Sequence, residues 1–168
     1  MQKIVWEILA TTPRKLKEEI STLSRQEMLQ RPAPNKWSVQ EVLAHLADVE
    51  EVGMRARVAA MVEQDGPTLP SFDQEARAIE RQYNTLDPRR SLARLERQRQ
   101  ANLKWLRKLR PAQLQRQGVH QTVGEISAEE LITEWAFHDL GHLKQVLDIK
   151  RYLLYPRIGN MRAFYEMT

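Results

Sequence analysis

Residues 127–153, SAEELITEWAFHDLGHLKQVLDIKRYL, predict one long amphipathic helix. Ser127 can cap its first turn while Glu130 reaches back to the cap, a pairing that is typical of a helix start. At about 100° per residue, the helix gathers seven side chains into one narrow stripe: Leu131, Trp135, His138, His142, Val146, Ile149 and Leu153. Because the stripe is otherwise apolar, we expect His138 and His142 to lie inside the folded core.

Three further helices are predicted by similar signals. Ser38 and Glu41 repeat the same cap pairing. Trp37 can also pack on Val42 across that helix start. Asp87-Pro88 opens another helix, with the aspartate as the cap and the proline in the first helical position. The four main helices are therefore placed near residues 13–23, 38–63, 88–109 and 127–153.

The first helix permits two interpretations because of Thr12-Pro13. The proline either opens a helix at residue 13, where its missing N–H costs nothing, or kinks a helix that began near Ile4. A short extra turn of helix is expected at residues 24–30, between the first and second main helices.

Two long connections separate the later helices. Residues 64–87 include two prolines and a short helical segment, and residues 111–126 include a piece, 118–124, that can be extended but is too short to seed a sheet by itself. Four amphipathic helices with two long connections are typical of a four-helix bundle. We therefore predict an all-α fold, a four-helix bundle with long connections, in which residues 1–168 form a single domain.

The composition is that of a globular protein. Of the 168 residues, 42% are hydrophobic and 29% are charged, which excludes a disordered chain and a membrane protein. No apolar run approaches the roughly 18 residues that span a bilayer, and the N-terminus lacks the pattern of a signal peptide, so a cytoplasmic location is expected. The chain has no cysteine, which excludes disulfides, thiolate metal ligands and a cysteine nucleophile.

Positive charge is concentrated in residues 89–110. The whole chain carries a net charge of +4, and this segment has nine Lys or Arg residues against only Glu96. We interpret the segment as a solvated helix face. Nucleic-acid binding is the alternative, which we favour less.

The histidines suggest a metal site. On the second main helix His45 borders the predicted core-facing stripe, which consists of Val42, Leu46, Val49, Gly53, Ala56 and Ala60. His138 and His142 are four residues apart and project from one helix face. A His pair at this spacing is a weak motif alone, but three of the four histidines pointing into a bundle indicate one divalent ion, because neutral imidazole is a preferred ligand of zinc and nickel. His120 lies in a connection and is expected to be a spectator.

Other polar side chains interrupt the apolar faces. Arg99 and Asn102 lie inside the core face of the third main helix, and a buried guanidinium needs either an anionic substrate or an acidic partner such as Asp139. The alternative is an arginine whose stem packs inward while its head reaches water. Asp139 follows His138 directly and cannot share its direction, so we expect it to contact a metal ligand or another helix rather than the metal.

Two carboxylates are candidate proton acceptors for catalysis. Asp48 lies about one helical turn from His45, and Glu134 lies one turn before His138. Each sits at the polar margin of its helix.

Three segments together resemble the DinB/YfiT-like family. They are RPAPNKWS at 31–38, EVLAHLADVE at 41–50 and HDLGHLKQ at 138–145, and the similarity extends over nearly the whole chain. The resemblance implies a four-helix bundle that holds a divalent metal, zinc or nickel among others, through one histidine of the second helix and two of the fourth. These positions are His45, His138 and His142 here. It also implies a homodimer.

The resemblance leaves the reaction open. Characterised relatives include metal-dependent transferases that use low-molecular-weight thiols and proteins described as metal-dependent hydrolases. We therefore expect a metal-dependent thiol S-transferase-like enzyme acting on a small molecule, with a low-molecular-weight thiol as co-substrate. The alternatives are a metal-dependent hydrolase and a non-catalytic protein that binds metal, a small molecule or nucleic acid.

Overall fold

Four long helical segments dominate the computed structural model, which describes residues 1–165. The first is α1 (Lys3–Ile20). The second is a continuous rod of α3 (Val39–Val49), a π-helical segment (Glu50–Arg55) and α4 (Ala56–Glu63), and the others are α6 (Pro88–Leu106) and α8 (Ala128–Leu154). Shorter helices are α2 (Arg25–Leu29), α5 (Gln74–Glu80), α7 (Pro111–Leu114) and 3-10 turns at Tyr83–Thr85, Tyr155–Arg157 and Gly159–Phe164. The predicted helical bundle with long connections is confirmed.

The predicted helix starts form as the local sequence requires. Ser38 accepts a hydrogen bond from the Glu41 backbone N–H, and the Glu41 carboxylate accepts one from the Ser38 N–H at 2.9 Å. Ser127 and Glu130 make the same reciprocal pair at the start of α8. Asp87 caps α6 by accepting from the Arg90 N–H at 2.9 Å. These bonds satisfy backbone donors that have no partner inside the helix.

Pro13 lies inside α1, which begins at Lys3, so the helix starts near Ile4, as in the second interpretation of Thr12-Pro13, and not at residue 13. A helical carbonyl normally accepts from the N–H four residues later, and proline has none. The Leu9 carbonyl is therefore left without its usual donor. Arg99 on α6 supplies one instead, with Nη1 donating to the Leu9 oxygen at 2.8 Å.

The π-helical segment changes which residues of the second rod face the core. Ala56 is exposed and Ala60 is half-buried, contrary to the predicted stripe, whereas Met54, Val58 and Met61 are buried. A π-helical turn contains one residue more than an α-helical turn. The extra residue rotates all later side chains, so the predicted stripe with its constant period of 3.6 fails after Gly53.

The two connections meet in a small sheet, which the sequence analysis did not predict. Its strands are β1 (Thr68–Leu69), β2 (Gln117–His120) and β3 (Gly124–Ser127). β2 forms an antiparallel hairpin with β3 and a parallel pair with β1. The extended piece near 118–124 is indeed short, and it is ordered by partners on both sides. Because β3 runs directly into α8, the sheet fixes the start of the helix that bears two histidines.

α3 is the most enclosed helix of the bundle, since all eleven of its residues are buried. Apolar side chains pack in two clusters, one around Leu9, Val58 and Ile132 and the other around Leu16, Leu43 and Val146. Among residues 1–165, none of the helices is long and apolar enough to cross a membrane.

Candidate metal centre

The three predicted histidines converge. His45 from α3 and His138 and His142 from α8 each direct Nε2 toward the others. His138 Nε2 lies 3.1 Å from His45 Nε2 and 3.1 Å from His142 Nε2. His45 is almost fully buried, and the other two are half-buried. The site is therefore enclosed on the α3 side and reachable from the α8 side.

This donor set fits a divalent ion such as zinc or nickel. Zinc binds imidazole nitrogen at about 2.0–2.1 Å, so two nitrogens on one tetrahedral ion lie roughly 3.4 Å apart. The observed Nε2 separations of 3.1 Å are close to that value. Lone pairs of neutral imidazoles that face one another repel, and a shared cation removes the repulsion. Three neutral protein ligands also leave coordination positions for water or substrate, as in catalytic sites.

The protein keeps the imidazoles in the form that binds metal. Burial, with a smaller contribution from the neighbouring histidines, lowers the pKa of His45 to about 2. Burial likewise lowers the pKa of His138 to about 3. The pKa of His142 is lowered by burial too, although the side chain of Gln145 opposes this shift. The apo centre is therefore neutral at physiological pH, and no proton must leave before a metal binds.

Gln145 orients one of the three rings. Its side-chain oxygen lies 2.8 Å from His142 Nδ1, so Nδ1–H donates to it and Nε2 presents its lone pair to the cluster. Metal-binding histidines commonly use their second nitrogen in this way. Within residues 1–165, the Nδ1 atoms of His45 and His138 are buried without a hydrogen-bond partner. This role of Gln145 was not predicted from the sequence, although its position three residues after His142 places it within reach on the same helix.

Arg99 belongs to a buried network beside the histidines. Its guanidinium donates five hydrogen bonds: two to Glu50 (2.9 and 2.8 Å), two to Asp139 (2.6 and 3.0 Å) and one to the Leu9 carbonyl (2.8 Å). A guanidinium has five N–H groups, so none is left for a substrate. The contacts match the fixed-carboxylate alternative, with Asp139 as one partner.

Asn102 and Trp135 complete this network at Glu50. Asn102 Nδ2 donates to Glu50 at 2.9 Å, and Trp135 Nε1 donates to it at 3.0 Å. Asn102 is thus engaged by a carboxylate of the protein rather than directed at a ligand. This role of Glu50 was not predicted from the sequence. Glu50 lies four residues after the buried Leu46, and this spacing places both side chains on one helix face.

A comparison with family models identifies the chain. The model of the DinB superfamily matches residues 8–146, a range that contains all three clustered histidines. The chain belongs to the DinB superfamily. The resemblance inferred from the sequence motifs is confirmed.

Relatives of this DinB protein carry names that refer to metal-dependent chemistry. A protein of Oceanobacillus iheyensis, named "Putative metal-dependent hydrolase", is 28% identical over 138 residues, which cover 82% of this chain and 79% of the relative. YfiT of Bacillus subtilis, similarly named, is 25% identical over 155 residues, 89% of this chain and 85% of YfiT. The solved structure of YfiT, a four-helix bundle of unusual topology, is 23% identical with a TM-score of 0.83 over 91% of this chain and 90% of that chain. That likeness shows a shared fold.

In this DinB protein the carboxylate of Asp48 is engaged by Arg77 and Tyr83. Arg77 donates two hydrogen bonds to its carboxylate at 2.7 and 3.3 Å, and the Tyr83 hydroxyl donates a third at 2.8 Å. Burial alone would raise the pKa of the Asp48 carboxyl, but these bonds outweigh burial and hold the pKa below its usual value. A carboxylate with three donors and a lowered pKa is a poor proton acceptor.

Glu134 lies on the exposed side of α8, one turn before His138. Although its side chain reaches solvent, desolvation by the surrounding protein raises the pKa of its carboxyl, and Asp139 adds to the increase while Arg57 opposes it. A carboxylate with a raised pKa is better matched to proton transfer near neutral pH. Of the two predicted proton acceptors, Glu134 is therefore the one whose surroundings suit the role.

Aromatic rings surround the histidines. Trp37 stacks on His142 with ring centroids 6.4 Å apart and lies 4.9 Å from the ring of His45. Phe72 and Tyr83 lie 6.0 and 6.3 Å from His45. From the sequence, Trp37 was predicted only to pack at the helix start. The other two rings, which come from the connection after α4, were not predicted to lie here. These apolar walls exclude water from the inner side of the centre.

Two other sequence features lie outside the centre. His120 lies at the end of β2, where its Nδ1 accepts a hydrogen bond from the Thr122 N–H at 3.2 Å. Within the basic segment 89–110, Arg99 is buried and Arg94 pairs with Glu51 at 2.8 Å. The segment is therefore not one uninterrupted cationic surface.

Proposed function

We propose that this protein is a divalent-metal-dependent hydrolase that acts on a small molecule. The observation that supports the proposal is the convergence of three neutral imidazoles: His138 Nε2 lies 3.1 Å from the Nε2 atoms of both His45 and His142. Three protein ligands without charge suit a reactive centre better than a closed structural one. The names of the relatives support water as the nucleophile.

Different residues of the centre have different roles in the proposed reaction. A zinc or nickel ion held by the three Nε2 atoms would supply a Lewis acid that lowers the pKa of a nucleophile. Gln145 fixes the ring of His142 through Nδ1. Glu134, at the exposed edge beside His138, accepts the proton of the nucleophile. The rings of Trp37 and Phe72 keep bulk water from the inner wall.

A thiol S-transferase is the second candidate. The chain has no cysteine, so any thiol must come from a low-molecular-weight co-substrate. The lowered pKa of a thiol near a cation favours the reactive thiolate. Arg99 cannot hold an anionic group of the thiol in such a transferase, because all five of its N–H donors are engaged within the protein.

We also propose that the protein forms a homodimer, as the family resemblance implies. Four exposed apolar side chains of α8 share one helix face, and we call them the α8 stripe: Phe137, Leu140, Leu147 and Leu154. A second copy of the same helix would cover these side chains.

Metal analysis of the purified protein tests the proposal. We expect about one divalent ion per chain by elemental mass spectrometry, and His138→Ala or His142→Ala should remove most of it because two remaining ligands bind weakly. His120→Ala, which removes the one histidine outside the cluster, should leave the metal content intact. Metal retained in both cluster variants would contradict the proposal.

The nucleophile is then identified with the metal-loaded protein. Hydrolysis of ester or amide substrates without added thiol supports the hydrolase. Turnover that requires a low-molecular-weight thiol, with one thiol consumed per product, supports the transferase. Bound metal without either activity would indicate a binding protein.

A further inference from the structure

The network around Arg99 joins all four long helical segments at one buried point. Arg99 itself lies on α6, the Leu9 carbonyl on α1, Glu50 on the second rod and Asp139 on α8. The side chains of Arg99, Glu50 and Asp139 are each at most 2% exposed. Apolar side chains of similar volume would fill this space at lower cost, since burying charges is expensive even when they are paired.

The network also carries a net charge. Two carboxylates, Glu50 and Asp139, face one guanidinium, so the sum of the three charges is −1. Asn102 and Trp135 donate further hydrogen bonds to Glu50 but are neutral. A buried charge that the protein leaves uncompensated points to a cation that compensates it.

The second carboxylate, that of Glu50, lies at the start of the π-helical segment. Glu50 and Glu51 are neighbours at its start, yet the Glu50 side chain is 1% exposed and the Glu51 side chain is 60% exposed. Glu51 pairs with Arg94 at the surface instead, also linking this segment to α6. Glu50 and Glu51 therefore allow the same carboxylate to be compared at a buried and at a solvated position.

The chain places this charge next to the histidines. Asp139 follows His138 directly and precedes His142 by three residues, while Glu50 follows His45 by five on the other rod. The three histidines are neutral, so by themselves they leave a bound divalent ion with its full charge in a partly desolvated site. Attraction between opposite charges is strong where water is excluded.

We propose that the buried Glu50–Arg99–Asp139 network supplies the counter-charge that gives the histidine centre its affinity for a divalent cation. This inference rests on the proposed metal binding. Asp139 and Glu50 are positioning residues. Their carboxylates accept hydrogen bonds from Arg99, and their charge acts on the ion through the electrostatic field at the three Nε2 atoms.

The test compares the zinc affinity of purified variants, measured by competition with a chromophoric chelator, with the thermal stability of each apo protein. Asp139→Asn and Glu50→Gln each remove one buried negative charge with almost no change of shape. We expect each to weaken zinc binding by about 10- to 100-fold, the range typical of residues that support metal ligands. Glu51→Gln makes the same chemical change at the surface and should leave the affinity unchanged within about twofold, because solvent screens the exposed charge.

Arg99→Lys separates the charge from the shape of the network. Lysine retains the positive charge but cannot make the paired hydrogen bonds of arginine. If the charge acts, this variant loses apo stability and keeps its zinc affinity to within a few fold. An affinity loss in Arg99→Lys as large as that of Asp139→Asn would overturn the proposal, since it would make the effect one of shape.

The remaining outcomes are also decisive. If Asp139→Asn fails to fold, Glu50→Gln, on the other rod, provides the same measurement. Lower apo stability with unchanged zinc affinity in the carboxylate variants would show a merely structural network and would overturn the inference, while the proposed function stands. Failure of the unmodified protein to bind any divalent metal would instead end the proposed function, and this inference with it.

Discussion

The position of Asp48 on its helix does not determine which partners its side chain contacts. It lies near His45 along α3, but its carboxylate turns to Arg77 and Tyr83, which come from the connection after α4. Arg77 is 25% exposed and Asp48 is 3% exposed, so the pair is only partly screened by solvent. The ion pair anchors α5 to α3 next to the aromatic wall of the metal centre.

The Asp48–Arg77 pair should make stability depend on pH. The folded-state pKa of Asp48 lies below its ordinary value, so the pair contributes stability above the unfolded pKa, near 3.9, and loses it as the pH falls through the folded pKa. Arg77→Leu should cost about 1–3 kcal/mol at pH 7, because it removes two donors from a buried carboxylate. Thermal melts at pH 7 and pH 3 should show this difference shrinking in acid.

Arg14→Leu is the control for that measurement. Arg14 pairs with Glu18 at 2.6 Å, but both side chains are about 60% exposed (62% and 59%), so its loss should change stability little at either pH. An equal cost of Arg77→Leu at both pH values would contradict the proposed role of the charge on Asp48.

The packing of the second rod restricts which side chain can occupy residue 53. Within the π-helical segment, Gly53 is buried against Val49: a Cβ at residue 53 would lie 2.4 Å from Val49 Cγ2. The short, branched side chain of Val49 cannot turn away freely. Gly141, between the two histidines of α8, is exposed, and a Cβ there would meet no atom within 4 Å.

These two glycines should respond to alanine in opposite directions. Gly53→Ala should lower the free energy of unfolding by about 1–3 kcal/mol, because overpacking outweighs the gain in helix propensity. Gly141→Ala should raise it by roughly 0.5–1 kcal/mol, since alanine favours the helix and nothing is in its way. Urea denaturation of both variants measures this. Stabilisation by Gly53→Ala would mean that the rod lacks the tight π-helical turn.

In the whole molecule, α8 contributes side chains to two different surfaces. One face places His138 and His142 against α3, and the α8 stripe on another face is left to solvent, with Phe137 76% exposed and Leu154 56% exposed. This exposed apolar face is where the proposed homodimer would form.

A homodimer built on the α8 stripe should be sensitive to a charge in its middle. Light scattering after size-exclusion chromatography should give the mass of a dimer for the unmodified protein and that of a monomer for Leu147→Glu, because burying an unpaired carboxylate is unfavourable. Ile79→Glu, at an apolar residue on α5 that is 79% exposed, is the control and should remain dimeric. A monomeric unmodified protein at micromolar concentration would rule out the proposed dimer.

Much of the fold could be predicted because its signals are local. The cap pairs at Ser38 and Ser127 involve residues three positions apart, and the apolar stripe of α8 repeats every three or four residues. Such features depend on neighbours in the sequence and form in any context where the helix forms. They sufficed to place His45, His138 and His142 on inward-facing surfaces, and to predict four helices around them.

Only the tertiary structure decided which polar groups meet. The partners of Arg99 are separated from it by 40, 49 and 90 residues along the chain, and Asp48 is 29 and 35 residues from its donors. No short-range pattern specifies such pairs, because each depends on how whole helices are rotated and packed. The π-helical turn after Val49 changes that rotation by one residue, which is why Ala56 leaves the core. Periodicity can place a residue on a helix face, but the hydrogen bonds it makes there depend on the packing of the other three helical segments.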